Sequence, residues 1–209
     1  MIMSHKEFSR KNLKAVDLES NPHIQFDIWL KEYFQLADNN NVAMTLATIN
    51  REHFPSSRIV YLRDWDIKGF IFFTNFDSNK GQEIRSNNKA SLLFYWPELE
   101  RQVRIWGIIE KVEDEISDSY FKNRPKGSQA GAWVSEQSKE IIGRASLEKK
   151  HKAFLLKTEN KIIPRPEFWG GYRLTPIMFE FWQGRENRLH DRYLYKKSGE
   201  NWEIKQLAP

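Results

Sequence analysis

"SRIVYLRDWDIKGFIFFTNF", Ser57 to Phe76, is the stretch that decides the fold. Its first half, "SRIVYLRDW", and its second, "GFIFFTNF", are both rich in β-branched and aromatic residues, the composition of strands. Between them lies "DIKG", Asp66 to Gly69, a turn-like junction, so the stretch predicts a β-hairpin and with it antiparallel pairing. Arg58 and Arg63 flank the first run; an odd offset places them on opposite faces if that strand is regular.

Working outward, "NVAMTLATI" (Asn41 to Ile49) reads as a preceding strand, followed by the polar turn "NREHFP". Farther upstream, Ile24, Phe26, Ile28, Trp29, Leu30, Tyr33, Phe34 and Leu36 recur at near-helical spacing behind Asn21-Pro22. They predict an amphipathic helix starting near the proline. Downstream, "ASLLFYW" and "RQVRIWGIIEKV" are two more strands, linked through Pro97. Helical pattern returns from Asp114 to about Asn123 and from Ser146 to Lys157. The chain closes with strands at "IMFEFWQ", "RLHDRYLYKK" and "WEIKQLA". Five early strands, a helical insert and three late strands predict a mainly β, α+β fold whose antiparallel sheet is able to curl into a barrel. With no internal repeat and no low-complexity linker, residues 1–209 are expected to form one domain, with residues 1–40 as an N-terminal segment and helix.

Composition narrows the functional classes. The 209 residues are 40% hydrophobic and 14% aromatic, enough for a packed globule. Cysteine is absent, which excludes disulfides and thiolate metal sites and fits a reducing compartment. "MIMSHKEFSRKNLK" has no apolar run of signal-peptide length, and "GFIFFTNF" is too short to span a bilayer. A soluble, cytoplasmic protein without a membrane partner is expected. The formal net charge of +5 favours anionic partners. Basic runs such as "LEKKHKAFLLK" are mixed with acids and carry no nucleic-acid signature, so no nucleic-acid partner is expected.

Four stretches carry candidate chemistry, each with a plainer alternative. "TNFDSNKGQEI" puts Thr74, Ser78 and Lys80 at a strand-to-helix junction, which suits a phosphate but is also an ordinary capped turn. Gln102, in "ELERQVRIWG", could pair with the edge of a heterocycle or lie on a solvated face. In "YFKNRPKGSQAGAWVSEQSKEI", Tyr120, Arg124 and Ser128 recur at intervals of four, each able to donate to a phosphate oxygen. Pro125 and Gly127 break a regular helix there, and Gln137 and Ser138 fall at what reads as a helix start. "EFWQGRENRLHDRYLY" alternates Arg188, His190 and Arg192. In a strand these share one face and repel unless an anion, an electron-rich group or water lies between them.

Familiar catalytic patterns are missing: no G-x-S-x-G, H-E-x-x-H, P-loop or G-x-G-x-x-G occurs. The five histidines are scattered, so no metal is expected, and the chemistry falls to a bound organic cofactor.

"SRIVYLR", "FFTNFDSNKG", "ERQVRIWG", "YFKNRPKGSQAGAW", "SEQS", "WGGYRLTP" and "EFWQGRENRLHDRYLY…LAP" together resemble the pyridoxine/pyridoxamine 5'-phosphate oxidase family, in order from about Met44 to Pro209. The resemblance implies an FMN-binding split β-barrel acting as a homodimer, with flavin sites at the interface. It implies oxidation of pyridoxamine or pyridoxine 5'-phosphate to pyridoxal 5'-phosphate, with dioxygen as acceptor and hydrogen peroxide as product. FMN would be held by Arg58, Ile59, Val60, Tyr61, Leu62, Arg63, Phe73, Thr74, Asn79, Lys80, Gln102, Gln137, Ser138, Trp182 and Arg192. The substrate phosphate would lie on Arg63, Tyr120, Arg124 and Ser128. Arg188, Leu189 and His190 would sit at the substrate ring, with Arg188 and His190 in the catalytic roles. Arg63 stands where the family commonly has lysine and Asn79 where it commonly has a basic residue. "KEFS", with Lys6 and Phe8, matches a closing segment that usually bears Arg and Tyr. The alternatives are a same-fold FMN oxidase acting on another small molecule, such as a phenazine precursor, and a basic nucleic-acid or flavin-storage protein without catalysis.

Overall fold

A computed structural model describes residues 8, 9, 11–36 and 42–209. The elements in chain order are α1 (Pro22–Phe34), β1 (Val42–Ile49), β2 (Pro55–Leu62), β3 (Asp64–Asp66), β4 (Gly69–Asn75), α2 (Asn79–Ser86), β5 (Lys89–Trp96) and β6 (Arg101–Lys111). There follow α3 (Asp114–Lys122), α4 (Lys126–Val134), α5 (Arg144–Lys157), β7 (Trp169–Gln183), β8 (Asp191–Ser198) and β9 (Asn201–Leu207). The strands form one antiparallel sheet in the order β2-β1-β5-β6-β7-β4-β3, with β8 joined to β7 and β9 to β8.

The sheet divides at β7. Its first half, Trp169 to Leu174, pairs with β4, and its second half, Met178 to Gln183, pairs with β8. Two ribbons therefore leave one edge of a single 15-residue strand, which gives the curled barrel anticipated from the strand count and the split implied by the family resemblance. A register shift between Trp106 and Gly107 on β6 accommodates the bend. Gly107 is required there, because a Cβ would lie 2.4 Å from the Thr175 carbonyl oxygen.

The hairpin expected over 57–76 is only partly formed. β2 pairs along its whole length with β1, from Val42↔Leu62 to Ile49↔Pro55, and only the short β3 folds back on β4. The chain changes partners at Arg63, whose N–H reaches the Ile71 carbonyl at 2.9 Å. The turn itself lies where expected: the Asp66 carboxylate accepts from the N–H groups of Lys68 and Gly69 at 2.8 and 3.0 Å.

α1 begins at Pro22 behind Asn21, whose side chain accepts from the His23 N–H at 2.9 Å. It lays Phe26, Trp29 and Leu30 into the barrel, with the Phe26 ring 4.9 Å from Phe70 and 5.0 Å from Phe94. Val103, Ile105, Phe179 and Phe181 complete this core from β6 and β7. The outer face of the sheet is unlike a solvated one: Ile59, Tyr61, Tyr95, Trp106 and Ile177 are exposed there.

Three other expectations change. The strand read from Arg188 starts only at Asp191; residues 186–188 form a 3-10 turn with Asn187 and Arg188 at φ of 53° and 61°. Arg188, His190 and Arg192 therefore do not share a strand face. Gln137 and Ser138 lie in a turn rather than at a helix start, Ser138 with φ of 74°. Gly127 does not break the helix but lies inside α4, so the interruption is confined to Asn123–Pro125. No helix among the described residues is long and apolar enough to cross a membrane.

Candidate active site

A cleft of about 690 Å³ opens between β2, β4, α2, α3 and α4. It gathers much of the candidate set from distant parts of the chain: Ile59, Val60, Tyr61 and Arg63; Phe73 and Thr74; Lys80; Tyr120, Arg124 and Ser128; and Gln137. Two ends can be told apart by their chemistry.

At one end the N-terminus of α2 meets the 135–138 turn. Ser78 caps the helix by accepting from the Gly81 N–H. Lys80 Nζ lies 3.3 Å from both Ser78 Oγ and Gln137 Oε1, and the Thr74 hydroxyl reaches the same amide oxygen at 3.3 Å. The Asn79 N–H donates to Ser138 Oγ at 3.2 Å, a contact that the left-handed backbone of Ser138 makes possible. Burial, with the Arg58 charge nearby, lowers the Lys80 pKa to about 8 against the opposing pull of Glu83. Arg58 itself turns away from the cleft. Its guanidinium bonds Glu83 Oε2 at 2.8 Å, Ser56 Oγ and Thr48 Oγ1 at 2.5 Å each, and the Leu46 carbonyl at 3.3 Å. Leu62 also points elsewhere, into the core.

At the other end the Tyr120 ring stacks on Phe73, centroids 3.8 Å apart and 4° from parallel. The Arg124 guanidinium lies over the indole of Trp169, 4.6 Å from the ring centroid. Its Nη1 is buried and has no hydrogen-bond partner among the described residues. Burial pushes the Arg124 pKa down; Tyr120 opposes this, and the nearby Arg63 charge adds to it. A buried guanidinium donor beside a second guanidinium is an anion site by its electrostatics.

The remaining candidates form a second group on the outer face of β6, β7 and β8. Gln102, Trp182 and Arg192 stand in register as one cross-strand row. Behind them Glu180, only 2% exposed, bridges Arg104 and Arg192. Arg192 uses Nε and Nη2 on Glu180 at 3.1 and 3.0 Å, and Nη1 on the Ala208 carbonyl at 2.8 Å. Glu180 thus supplies an anion from the chain itself for Arg192 and Arg104, not for Arg188 or His190. The His190 ring lies 4.6 Å from Trp182, and its Nδ1 accepts from the Arg185 N–H at 3.1 Å. Arg188 and Leu189 are exposed on the turn. Phe8 packs edge-on against Trp182 and His190; Lys6, the other residue singled out in that segment, lies outside the described residues.

The two groups lie apart within the chain. Trp182 lies eleven residues along β7 from Gly171, the partner of Phe73, which is roughly 35 Å in an extended strand. Sequence reasoning also passed over three residues: Trp169, and the buried carboxylates Glu83 and Glu180 that hold Arg58 and Arg192. The paired glycines beside Trp169 were the available signal, since a Cβ on Gly171 would meet Val112 at 2.6 Å and the Phe73 ring at 2.9 Å.

Comparison with known proteins agrees with this architecture. The family model for pyridoxamine 5'-phosphate oxidase matches residues 30–157, and that for the pyridoxine 5'-phosphate oxidase C-terminal dimerisation region matches 169–209. An FMN-binding protein from Nostoc punctiforme, related to pyridoxamine 5'-phosphate oxidase, superposes with a TM-score of 0.72 at 15% identity over 92% of this chain and 100% of its own. The fold is that of the FMN-binding split barrels.

Within that class the chain belongs to the pyridoxine/pyridoxamine 5'-phosphate oxidase family. It is 52% identical to the pyridoxine/pyridoxamine 5'-phosphate oxidase of Burkholderia mallei, over 97% of this chain and 95% of that one. It is 47% identical to that of Cyanothece sp., over 98% and 96%. PhzG from Burkholderia lata 383, solved with tetrahydrophenazine-1-carboxylic acid, has a TM-score of 0.89 at 32% identity, covering 96% of this chain and all of that one.

Proposed function

We propose that the protein is an FMN-dependent oxidase converting pyridoxamine or pyridoxine 5'-phosphate to pyridoxal 5'-phosphate, with dioxygen as acceptor and hydrogen peroxide as product. The observation that carries this reading is the buried Nη1 of Arg124, without a partner among the described residues, in a cleft shared with Tyr120, Ser128 and Arg63. Leaving a buried guanidinium N–H without a partner is costly, and a charge-assisted bond to a phosphate oxygen offsets that cost.

The residues present also fit FMN. Lys80, Thr74, Gln137 and Ser138 offer an ammonium and short polar side chains beside a helix N-terminus, and the depressed Lys80 pKa marks an ammonium in need of an anion. FMN would supply a two-electron acceptor that dioxygen reoxidises. The chain's own residues bind, orient and shield. Ile59, Val60 and Tyr61 form one wall; Tyr120, Ser128 and Arg124 grip the substrate phosphate; Arg63 serves both ligands.

The site is completed by a second copy of the chain. Gln102, Trp182, Arg188, Leu189, His190 and Arg192 would be brought over the cleft by a partner protomer packed on the apolar outer face. Arg188 would lie against the pyridine ring and its phenolic oxygen, and His190 would orient the polar substituents. Arg192 retains one N–H on each terminal nitrogen after its bonds to Glu180 and Ala208, available to the pyrimidine edge of the flavin. The purified protein should be yellow, and anaerobic pyridoxamine 5'-phosphate should bleach it. A yellow protein that stays oxidised would reject the substrate, and a colourless one the cofactor.

A second reading, oxidation of a phenazine precursor, draws on the likeness to PhzG. The cationic, hydroxyl-rich end around Arg124 favours a phosphate ester instead. Bleaching by a dihydrophenazine carboxylate but not by the phosphate ester would reverse that order.

A further inference from the structure

Arg124, half-buried with its Nη1 fully enclosed, is held in an unusual way for a cation in a cleft. Its neighbours are aromatic faces, Trp169 at 4.6 Å and Phe121 at 5.7 Å, rather than a carboxylate drawn up against Nη1. The distinction matters chemically. A carboxylate would consume the in-plane N–H donors and cancel the charge, whereas a ring stacked on the guanidinium face steadies it and leaves those donors free.

Trp169 is itself fixed by a dedicated clamp. Arg165 donates from Nη1 to the Trp169 carbonyl at 2.8 Å and binds Asp118 through Nε and Asp114 through Nη2, both at 2.6 Å. Both aspartates belong to α3, the helix that carries Tyr120. Ser117, also on α3, accepts from the Gly171 N–H at 3.0 Å. The start of β7 and the Tyr120–Arg124 segment are therefore locked as one unit, with the indole, 7% exposed, forming part of the cleft wall.

We propose that Trp169, pinned by Arg165, is the positioning residue that holds Arg124 open for a phosphate monoester and so sets the preference for phosphorylated over unphosphorylated ring substrates. The proposal rests on the reading of this end of the cleft as the substrate-phosphate site.

The test compares Trp169→Leu and Trp169→Phe in the FMN-loaded protein. Leucine removes the π face; KM for pyridoxamine 5'-phosphate should rise about tenfold with kcat within about twofold. For unphosphorylated pyridoxamine, kcat/KM should stay within about twofold, and phenylalanine should restore most of the loss. Calorimetric titration with inorganic phosphate provides a readout apart from turnover, and the leucine variant should bind it about tenfold more weakly. Equal losses on both substrates, or unchanged phosphate binding, would overturn the proposal. If the unaltered protein oxidises neither substrate, the functional reading fails and the phosphate titration alone decides the role of Trp169. Should Trp169→Leu not fold, Arg165→Met releases the main chain that carries the indole without emptying its pocket; phosphate affinity equal to that of the unaltered protein would then count against it.

Discussion

Lys80 and Arg188 show how single side chains report on the site. With its pKa near 8, Lys80 carries its proton below that pH and loses it above. An anionic phosphate prefers the protonated amine, so FMN affinity should fall as pH rises through about 8. Lys80→Met should flatten the profile and weaken binding by roughly 10- to 100-fold, the range for one charge-assisted hydrogen bond. Fluorescence titration of FMN across that range measures both; a pH-independent affinity in the unaltered protein would remove Lys80 from the cofactor's phosphate. Arg188 sits at a φ of 61°, a conformation that costs a non-glycine residue energy and is held here by the 186–188 turn. Arg188→Ala should cut turnover by roughly 100-fold while leaving flavin occupancy unchanged, because its contact is expected at the substrate ring. Stopped-flow reduction separates the two effects, and unaltered turnover would refute the role.

At the scale of elements, α2, β1 and β2 are tied by one ionic knot. Glu83 and Arg58 have side chains only 11% and 19% exposed, so their pairing is little screened by solvent. Burial alone would raise the Glu83 pKa, but the Thr48 hydroxyl and the Arg58 guanidinium outweigh it and hold the carboxyl below its ordinary range. A depressed carboxyl contributes stability above its unfolded pKa and loses it as pH falls towards the folded value. Glu83→Gln should cost about 2 kcal/mol at neutral pH, near 4–8 °C in melting temperature for a chain this size, with a smaller penalty in acid. Equal melting curves at neutral pH would show the knot to be dispensable. Gly171 makes the complementary case in β7. Gly171→Val drives carbon into Val112 and Phe73, should cost about 1–3 kcal/mol, and should displace the Tyr120 stack.

For the whole molecule, the apolar outer face and the separation of the two residue groups lead to the same expectation. Trp106 is 47% exposed on that face, close to the row of Gln102, Trp182 and Arg192. Trp106→Glu would place a charge at the contact, so sedimentation should show a shift towards monomer and the flavin should be lost on gel filtration. A monomeric variant that keeps its FMN would separate cofactor binding from association.

The sequence alone determined the antiparallel sheet, the position of α1 and the family, because period-two apolar runs, capping residues and long local motifs are properties of neighbouring residues. It also named the cations. Their partners were illegible: Glu83 lies 25 positions from Arg58, and Trp169 lies 45 from Arg124. Local pattern likewise misjudged where the run from Ser57 would change sheet partners at Arg63 and where the strand around Arg192 would begin. Those outcomes depend on which strand finds which edge, and on burial deciding which charges must be paired. Both are properties of the folded chain rather than of any short segment.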